Sequence, residues 1–527
     1  MKFKMKKASA LALSGVSVLS AGFLALSCSS NSEANDPSNG GTQSAYNKPF
    51  SKIFDQNKAQ LEELKTRLNG YSKGSFEIFT NKAEIADQSN ALIQEFNKFF
   101  GTNLKWTQIG GSNNYQTALS GKFSNGVNGV LLVGAESKSA FEQINNIVVD
   151  TSAKKFLNNF DKSTDDIIVG EKHFMPQAFE TYGVIYNKTL FKNAKITVYE
   201  GKSFDTAAAE LKQGLQKPEN YDGSIEKDGT LYVFSGDMTF SAYNKVLDKL
   251  RAANIKPFYS VSKTDKQNVW PITNHLMNSV VVASTAGSDK PGTPAFEKMN
   301  EDIMSSPQNI FTADLVTKLQ KALEIYNTNG ANSVATNTVN DGMTLIGSNG
   351  VAMIQNGTWG FSQALQVAKQ SGINLELGFL PIPVENARTN KMAIYKGATQ
   401  RWGATTLTND EANKKLAQLF LQFLYQTQAG TEILQNYLGS ANPYTDPNKP
   451  FQGEDQLINS SYNYGDLNSD VWAMSTFPAQ FNNDTPALVD LANKGFKPEG
   501  QTNEQVAQEL LKVWNSLRQA EKEKQAK

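Results

Sequence analysis

The sequence has very little of what most often builds catalytic and metal sites. Its 527 residues include one cysteine, Cys28, and two histidines, His173 and His275. A single cysteine excludes a disulfide framework within the chain. Two isolated histidines, neither of them in an HExxH motif, disfavour a histidine metal site or a Ser-His-Asp triad. The sequence therefore predicts a protein that is not an enzyme and holds no metal or cofactor.

The chain also has no excess of charge. Lys and Arg together number 51, as do Asp and Glu, so the formal net charge is zero. A nucleic-acid partner would need a basic surface to displace counterions, so the composition predicts none. Beyond Leu26 no apolar run approaches the ~20 residues that a membrane-spanning helix requires.

The N-terminus has the pattern of an export signal. Lysines in the first seven residues precede an interrupted apolar stretch that ends at Leu26. We predict a signal peptide at residues 1–27 and a polar, flexible, lipidated tether at residues 28–49. The stretch "LALSC" resembles the lipobox of bacterial lipoproteins, although its Leu and its small residue are exchanged relative to the commonest form. The resemblance implies acylation of Cys28 and attachment to the extracellular face of the cell membrane, with buried acyl chains contributing ~0.8 kcal/mol per methylene.

The body of the chain alternates short apolar segments with amphipathic ones. Strands are predicted at 75–80, 182–187, 231–236 and 351–354, and helices at 50–68, 86–100, 241–253 and 504–517. Strands separated by helices predict an α/β fold with parallel sheets. After the strand at 351–354, Asn356-Gly357 predicts a turn that presents Trp359 at the start of a helix.

Four of the six tryptophans lie near turns instead of inside periodic apolar segments. They are Trp270, Trp359, Trp402 and Trp472. A tryptophan taken singly is more often a core residue than a ligand platform. As a set, however, they fit a sugar site, because pyranose rings stack on aromatic faces while their hydroxyls pair with carboxylates, amides and arginine.

Three passages then resemble the extracellular solute-binding proteins of ATP-driven importers, in the sugar-binding, maltose-binding-protein-like branch. They are "ETYGVIYNKTLF" from Glu180, "GVAMIQNGTWGF" ending at Phe361, and "WGATTLTNDEANKKLAQLFLQFLYQTQAGTEIL" from Trp402. The resemblance implies a two-lobe α/β "Venus flytrap" fold. We place the N-terminal lobe at 50–178 plus 384–442 and the C-terminal lobe at 179–383 plus 443–527, with chain crossings near Phe179, Pro381 and Asn442.

The same resemblance implies a ligand site between the lobes. Glu180 is expected to accept sugar hydroxyls and Trp359 to supply an aromatic platform. The full expected set of ligand-binding residues is Asn81, Glu180, Tyr182, Trp270, Trp359, Arg401, Trp402 and Trp472.

The implied function is a membrane-anchored, monomeric receptor that binds a carbohydrate and delivers it to the permease subunits of an ABC importer. Three alternatives stay open. Arg401 would suit a phosphate, so the solute could be glycerol 3-phosphate, a phospho-sugar or another small solute such as a peptide. A carboxylate-based glycosidase and a surface antigen or adhesin on the same fold are the others.

Overall fold

A computed structural model describes most of the chain after residue 47. The described residues are 48–68, 71, 77–82, 85–109, 115, 118, 130–135, 167–169, 172–261, 270–285, 294–327, 337–387, 390–404, 411–444, 451–470, 478 and 500–525. Cys28, the predicted signal peptide, most of the predicted tether and Trp472 lie outside them. Among the helices of these residues, none combines the length and the apolar composition that crossing a bilayer requires.

The helices agree with the amphipathic segments of the sequence. The predicted helix at 50–68 divides at Asn57, and the C-terminal helix continues eight residues beyond the predicted end at Leu517, as far as Gln525. The α-helices are Phe50–Gln56 (α1), Lys58–Arg67 (α2), Ala86–Phe100 (α3), Lys188–Asn193 (α4), Phe240–Ala252 (α5), Met277–Ser284 (α6), Pro294–Ser305 (α7), Ala313–Tyr326 (α8), Val339–Gly347 (α9), Phe361–Gln370 (α10), Glu411–Gln426 (α11), Gln428–Asn436 (α12), Gln456–Ser461 (α13) and Asn503–Gln525 (α14).

The strands form one large sheet and one small sheet. They are Glu77–Thr80 (β1), Lys105–Gln108 (β2), Val130–Ala135 (β3), Ile167–Val169 (β4), Lys172–Asn187 (β5), Ile196–Tyr199 (β6), Ser224–Lys227 (β7), Thr230–Phe234 (β8), Phe258–Tyr259 (β9), Met353–Gly357 (β10), Leu377–Leu380 (β11), Ile394–Ala404 (β12) and Asn468–Asp470 (β13). The large sheet runs β2-β1-β3-β12-β5-β10-β9, with β4 and β11 also paired to β5 and β13 to β12. The small sheet runs β6-β8-β7.

The expectation of parallel sheets is correct at the two ends of the large sheet and wrong at its centre. β1 pairs parallel with β2 and β3, and β10 with β9. At the centre, β12 runs antiparallel to β3 and β5, and β10 antiparallel to β5. Strand–helix alternation predicts the direction of strands that are neighbours in sequence. It carries no information on β5 and β12, which pair across about two hundred residues.

β5 is also much longer than the predicted strand at 182–187, and it passes through Pro176, a residue that is uncommon in central strands. Proline has no backbone N–H to donate to the sheet. In the structure Pro176 lies opposite Arg401, next to a register shift between Gln400 and Arg401. The proline therefore falls where the hydrogen-bond ladder is already irregular.

Buried apolar side chains form two large clusters. The first core gathers them from residues 182–395 and 457–514. The second core gathers them from residues 53–106 and 402–444, with α3 and α11 packing phenylalanines against each other. The chain passes between the cores in β5 and in β12, and after Tyr444 of the second core the next core residue, Leu457, belongs to the first. The predicted lobe boundaries themselves stay a prediction.

Two of the predicted crossing points are adjacent in space. Phe179 N donates to Ala441 O at 2.9 Å, and Ala441 N donates to Phe179 O at 2.8 Å. This reciprocal bridge joins β5 to the segment that follows α12. It fixes the position of Glu180, the next residue of β5, relative to both cores.

Candidate ligand-binding site

One face of the large sheet carries the polar residues predicted for the site. Glu180 and Tyr182 lie two residues apart on β5, so both side chains leave the same face. Gly357 of β10 pairs with Tyr182, and Gln355 pairs with the next residue on that face, Val184. Directly opposed residues share a face. Glu180, Tyr182 and Gln355 therefore line one surface, and all three are buried.

Trp359 lies at the end of β10, as the sequence predicts. The strand continues three residues beyond the predicted end, to Gly357, and a 3-10 turn at Thr358–Gly360 leads into α10. A Cβ atom at position 357 would lie 2.1 Å from Cζ3 of Trp359. Because only glycine avoids that clash, Gly357 allows the indole to fold back over the strand end.

The half-buried Trp359 belongs to a compact aromatic cluster, which consists of Trp270, His275 and Trp359. The ring centroids of Trp359 lie 6.1 Å from Trp270 and 5.5 Å from His275, and Trp270 lies 4.8 Å from His275 in an edge-to-face contact. Trp270 precedes a π-helical turn, Pro271–Leu276, which leads into α6. The start of this helical segment brings Trp270 beside Trp359.

Tyr182 supports this cluster from the sheet. Its ring stacks on His275 at 4.1 Å and 11°, and on Tyr395 at 5.3 Å and 9°. Its hydroxyl accepts a hydrogen bond from Asn278 Nδ2 at 2.8 Å. Tyr182 is fully buried, so it holds the aromatic cluster in place instead of offering a free face to a ligand.

A lysine that sequence reasoning missed completes the site. Lys82 Nζ forms an ion pair with Glu180 Oε1 and lies 5.2 Å from a ring centroid of Trp359. The side chain of Lys82 is 12% exposed and that of Glu180 is 2% exposed. Lys82 follows β1 immediately after Asn81, a predicted site residue that is half-buried. The position of both residues just after a parallel strand was the available signal.

His275 is held uncharged in this environment. Complete burial, and then the positive charge of Lys82, lower the pKa of His275 to about 3. The neutral ring can donate from one nitrogen and accept at the other. Its Nδ1 is buried and has no hydrogen-bond partner among the described residues.

Polar atoms on β10 and α6 are likewise buried without a hydrogen-bond partner among the described residues. Both polar atoms of the Gln355 amide, and Oδ1 of Asn278, are buried and lack hydrogen-bond partners within the described part of the chain. An unsatisfied buried polar group costs roughly 1–3 kcal/mol. These buried polar atoms, together with the Glu180–Lys82 pair beside Trp359, are the observations that make this region a candidate site.

Trp402 is the other predicted residue whose side chain the structure describes, and it packs away from this cluster. Trp402 is 1% exposed and packs in the second core, where its ring contacts Trp106 at 6.2 Å and its Nε1 donates to Tyr425. Arg401 lies on β12, where its backbone pairs with Ala135 and Pro176. Trp472 lies outside the described residues. Within the part of the chain that is described, no three His, Cys, Asp or Glu side chains converge to hold a metal ion.

Comparison with known proteins identifies a protein family for this chain. The model of the family described as "Bacterial extracellular solute-binding protein" matches residues 82–431, a span that includes Lys82, Glu180, Trp270 and Trp359. The chain belongs to this family. Membership indicates an extracellular or periplasmic location for this solute-binding protein. No curated protein matches its sequence.

Solved structures share the fold of this solute-binding protein. RafE in complex with raffinose is 16% identical with a TM-score of 0.55, covering 84% of this chain and 100% of that one. A chitin oligosaccharide binding protein is 16% identical with a TM-score of 0.57, covering 84% and 98%. A manno-oligosaccharide specific protein, BlMnBP2 from Bifidobacterium animalis subsp. lactis, in complex with mannotriose, is 13% identical with a TM-score of 0.55, covering 86% and 96%.

Proposed function

We propose that this protein is a carbohydrate receptor of an ABC importer. It captures a sugar or oligosaccharide between two lobes and presents it to the permease subunits. Cys28 anchors it to the extracellular face of the membrane through its acylated thiol. Contacts from the ligand to both lobes favour the closed form, and this differential binding drives closure.

The observation that carries this proposal is the grouping of Trp270 and Trp359 with the buried Glu180–Lys82 pair. Apolar faces of a pyranose ring stack on indole rings. Its hydroxyls donate to the carboxylate of Glu180 and accept from the ammonium of Lys82. Both requirements of sugar recognition are met within one cluster, built from β1, β5, β10 and the turn before α6.

The comparisons support the same class of ligand. Family membership supports solute binding over catalysis. Three proteins of the same fold are described by their raffinose, chitin oligosaccharide or manno-oligosaccharide ligands. The shared fold supports an oligosaccharide as the class of solute, and the aromatic cluster is the local feature that agrees with it.

Trp359 provides the direct test. The full mature chain is screened by thermal shift against raffinose, mannotriose and triacetylchitotriose, and hits are measured by isothermal titration calorimetry. A ligand at ~100 times its Kd adds about 2.7 kcal/mol of stability. Trp359→Ala is expected to weaken binding more than tenfold, about 1.4 kcal/mol, because it removes the stacking surface. Trp359→Phe keeps a ring and should retain part of the affinity.

Two outcomes would contradict the proposal. Unchanged affinity in folded Trp359→Ala would show that the indole does not touch the ligand. Recovery of a cleaved oligosaccharide after incubation with the wild type would favour a glycosidase, since a receptor returns its ligand intact.

A further inference from the structure

Lys82 holds a position that no sequence pattern assigned to it. Its ammonium meets the carboxylate of Glu180, a β5 residue fixed beside the bridge between Phe179 and Ala441. It also lies against the indole of Trp359, which packs on the first core. Both charged side chains are largely removed from solvent. Lys82 therefore sets the electrostatic character of the candidate site.

The charges of this pair cancel at the place where a ligand would stack. An ion pair removed from water is strongly disturbed when one partner is lost, since the other charge is left uncompensated. His275, in contact with Trp359, adds no positive charge, because burial keeps it neutral. An uncharged polyol can satisfy both Glu180 and Lys82 with hydroxyl groups. A carboxylate or phosphate group would gain from Lys82 but be repelled by Glu180 at the same time.

We propose that Lys82 is a specificity-determining residue and that its pairing with Glu180 makes the site select uncharged saccharides over those that carry a carboxylate or a phosphate. The inference rests on the proposed carbohydrate function and goes beyond it by naming the charge class of the solute. The same charge pairing argues against glycerol 3-phosphate and phospho-sugars as the solute.

The test measures a ratio, the Kd of an anionic probe divided by the Kd of its neutral counterpart. The probe pairs are galactotriose with trigalacturonate, and glucose with glucose 6-phosphate, titrated by calorimetry into the mature protein. A ratio is used because Glu180→Gln also removes a hydroxyl acceptor, which weakens both members of a pair. For the wild type we expect a ratio well above one.

Glu180→Gln removes the negative charge that pairs with Lys82 in the structure, and the ratio is expected to fall at least tenfold. The double variant Lys82→Met/Glu180→Gln removes both charges and should restore the ratio to within about threefold of wild type. Asp222→Asn is the matched control, because it unpairs Lys245 on α5, 2.8 Å from Asp222 and outside the aromatic cluster. It should leave the ratio unchanged.

The possible results separate the two proposals. A wild-type preference for the anionic probe, or a ratio that is the same in Glu180→Gln as in wild type, would overturn the role of Lys82 while leaving sugar binding intact. An equal fall in Asp222→Asn would also overturn it, since the effect would then not be local. Failure of the wild type to bind any neutral probe, including raffinose, mannotriose and triacetylchitotriose, would instead overturn the carbohydrate function, and this inference with it.

Discussion

Two buried titratable groups should give the protein an unusual dependence of stability on pH. Burial raises the pKa of Asp455 to about 8, although backbone N–H groups of Ile458 and Leu457 lower it in part. Burial, aided by Lys82, lowers the pKa of His275 to about 3. The ordinary values are 3.8 and 6.5. The folded protein thus binds a proton at Asp455 that the unfolded chain lacks above pH 4. It also lacks a proton at His275 that the unfolded chain binds below pH 6.5.

The two effects have opposite signs. Stability rises with pH wherever the unfolded state binds more protons, by about 1.4 kcal/mol per pH unit for one proton. Between pH 5 and 6.5 the His275 contribution rises and the Asp455 contribution falls, each by about 2 kcal/mol. They nearly cancel there. Between pH 6.5 and 8 the fall of the Asp455 contribution dominates, by about 2 kcal/mol, because the His275 contribution changes little there.

Single substitutions should reveal each contribution. Asp455→Asn keeps a side-chain oxygen that can accept from Leu457 N, at 2.9 Å in the wild type, and from Ile458 N, at 3.0 Å, at the start of α13. Because the variant lacks the titratable carboxyl, its stability should rise from pH 5 to 6.5. His275→Gln should make stability fall over the same interval. The free energy of unfolding is measured by urea denaturation followed by far-ultraviolet circular dichroism at pH 5, 6.5 and 8.

His173→Gln is the control for the histidine effect, because it removes the only other histidine of the chain. It should reproduce the wild-type pH profile. The reasoning is refuted if His275→Gln and wild type have parallel profiles, or if His173→Gln produces the change instead. A wild-type stability that does not fall between pH 6.5 and 8 would refute the burial argument for Asp455.

Two further substitutions test how the aromatic residues are positioned. Gly357→Ala should displace the Trp359 indole, because the added Cβ would lie 2.1 Å from it. The variant should therefore bind carbohydrate about tenfold or more weakly and show a shifted tryptophan fluorescence. Normal affinity would contradict the placement of the indole. Trp402→Ala should cost roughly 3–5 kcal/mol of stability, as for a large side chain removed from a core. It should leave the calorimetric affinity of the folded protein within about threefold, and a selective loss of affinity would instead support Trp402 as a ligand residue.

Much of the local structure could be predicted because it depends on neighbouring residues. The apolar stripe of α3 predicts its bounds at Ala86 and Phe100 without error. The strand before Trp359 and the helix after it are also predicted, although Asn356 and Gly357, predicted as the turn, still belong to β10 and the turn lies at Thr358–Gly360. These features follow from helical periodicity and from the geometry that glycine allows, both of which are properties of a short segment.

The central strands and the full site could not be predicted in the same way. β5 and β12 pair antiparallel. The sequence does not indicate this pairing, because β5 contains Pro176 and the two strands are far apart in the chain. Lys82 reaches Glu180 from a position 98 residues earlier in the chain. Its position just after β1 is the one local signal, and that signal does not identify Glu180 as its partner, because the pairing depends on which strand ends lie side by side in the sheet.

Trp359 and Trp402, both predicted site residues, lie in different surroundings in the structure. Both lie beside glycine in the sequence, and both were expected to contact ligand. Trp402 lies within β12, and its indole N–H is satisfied by Tyr425, so burial in the second core leaves none of its polar groups unpaired. Trp359 lies after the end of β10, where Gly357 lets its ring turn back toward Lys82. Position relative to the strand end, more than proximity to glycine, therefore separates a core tryptophan from a candidate ligand platform.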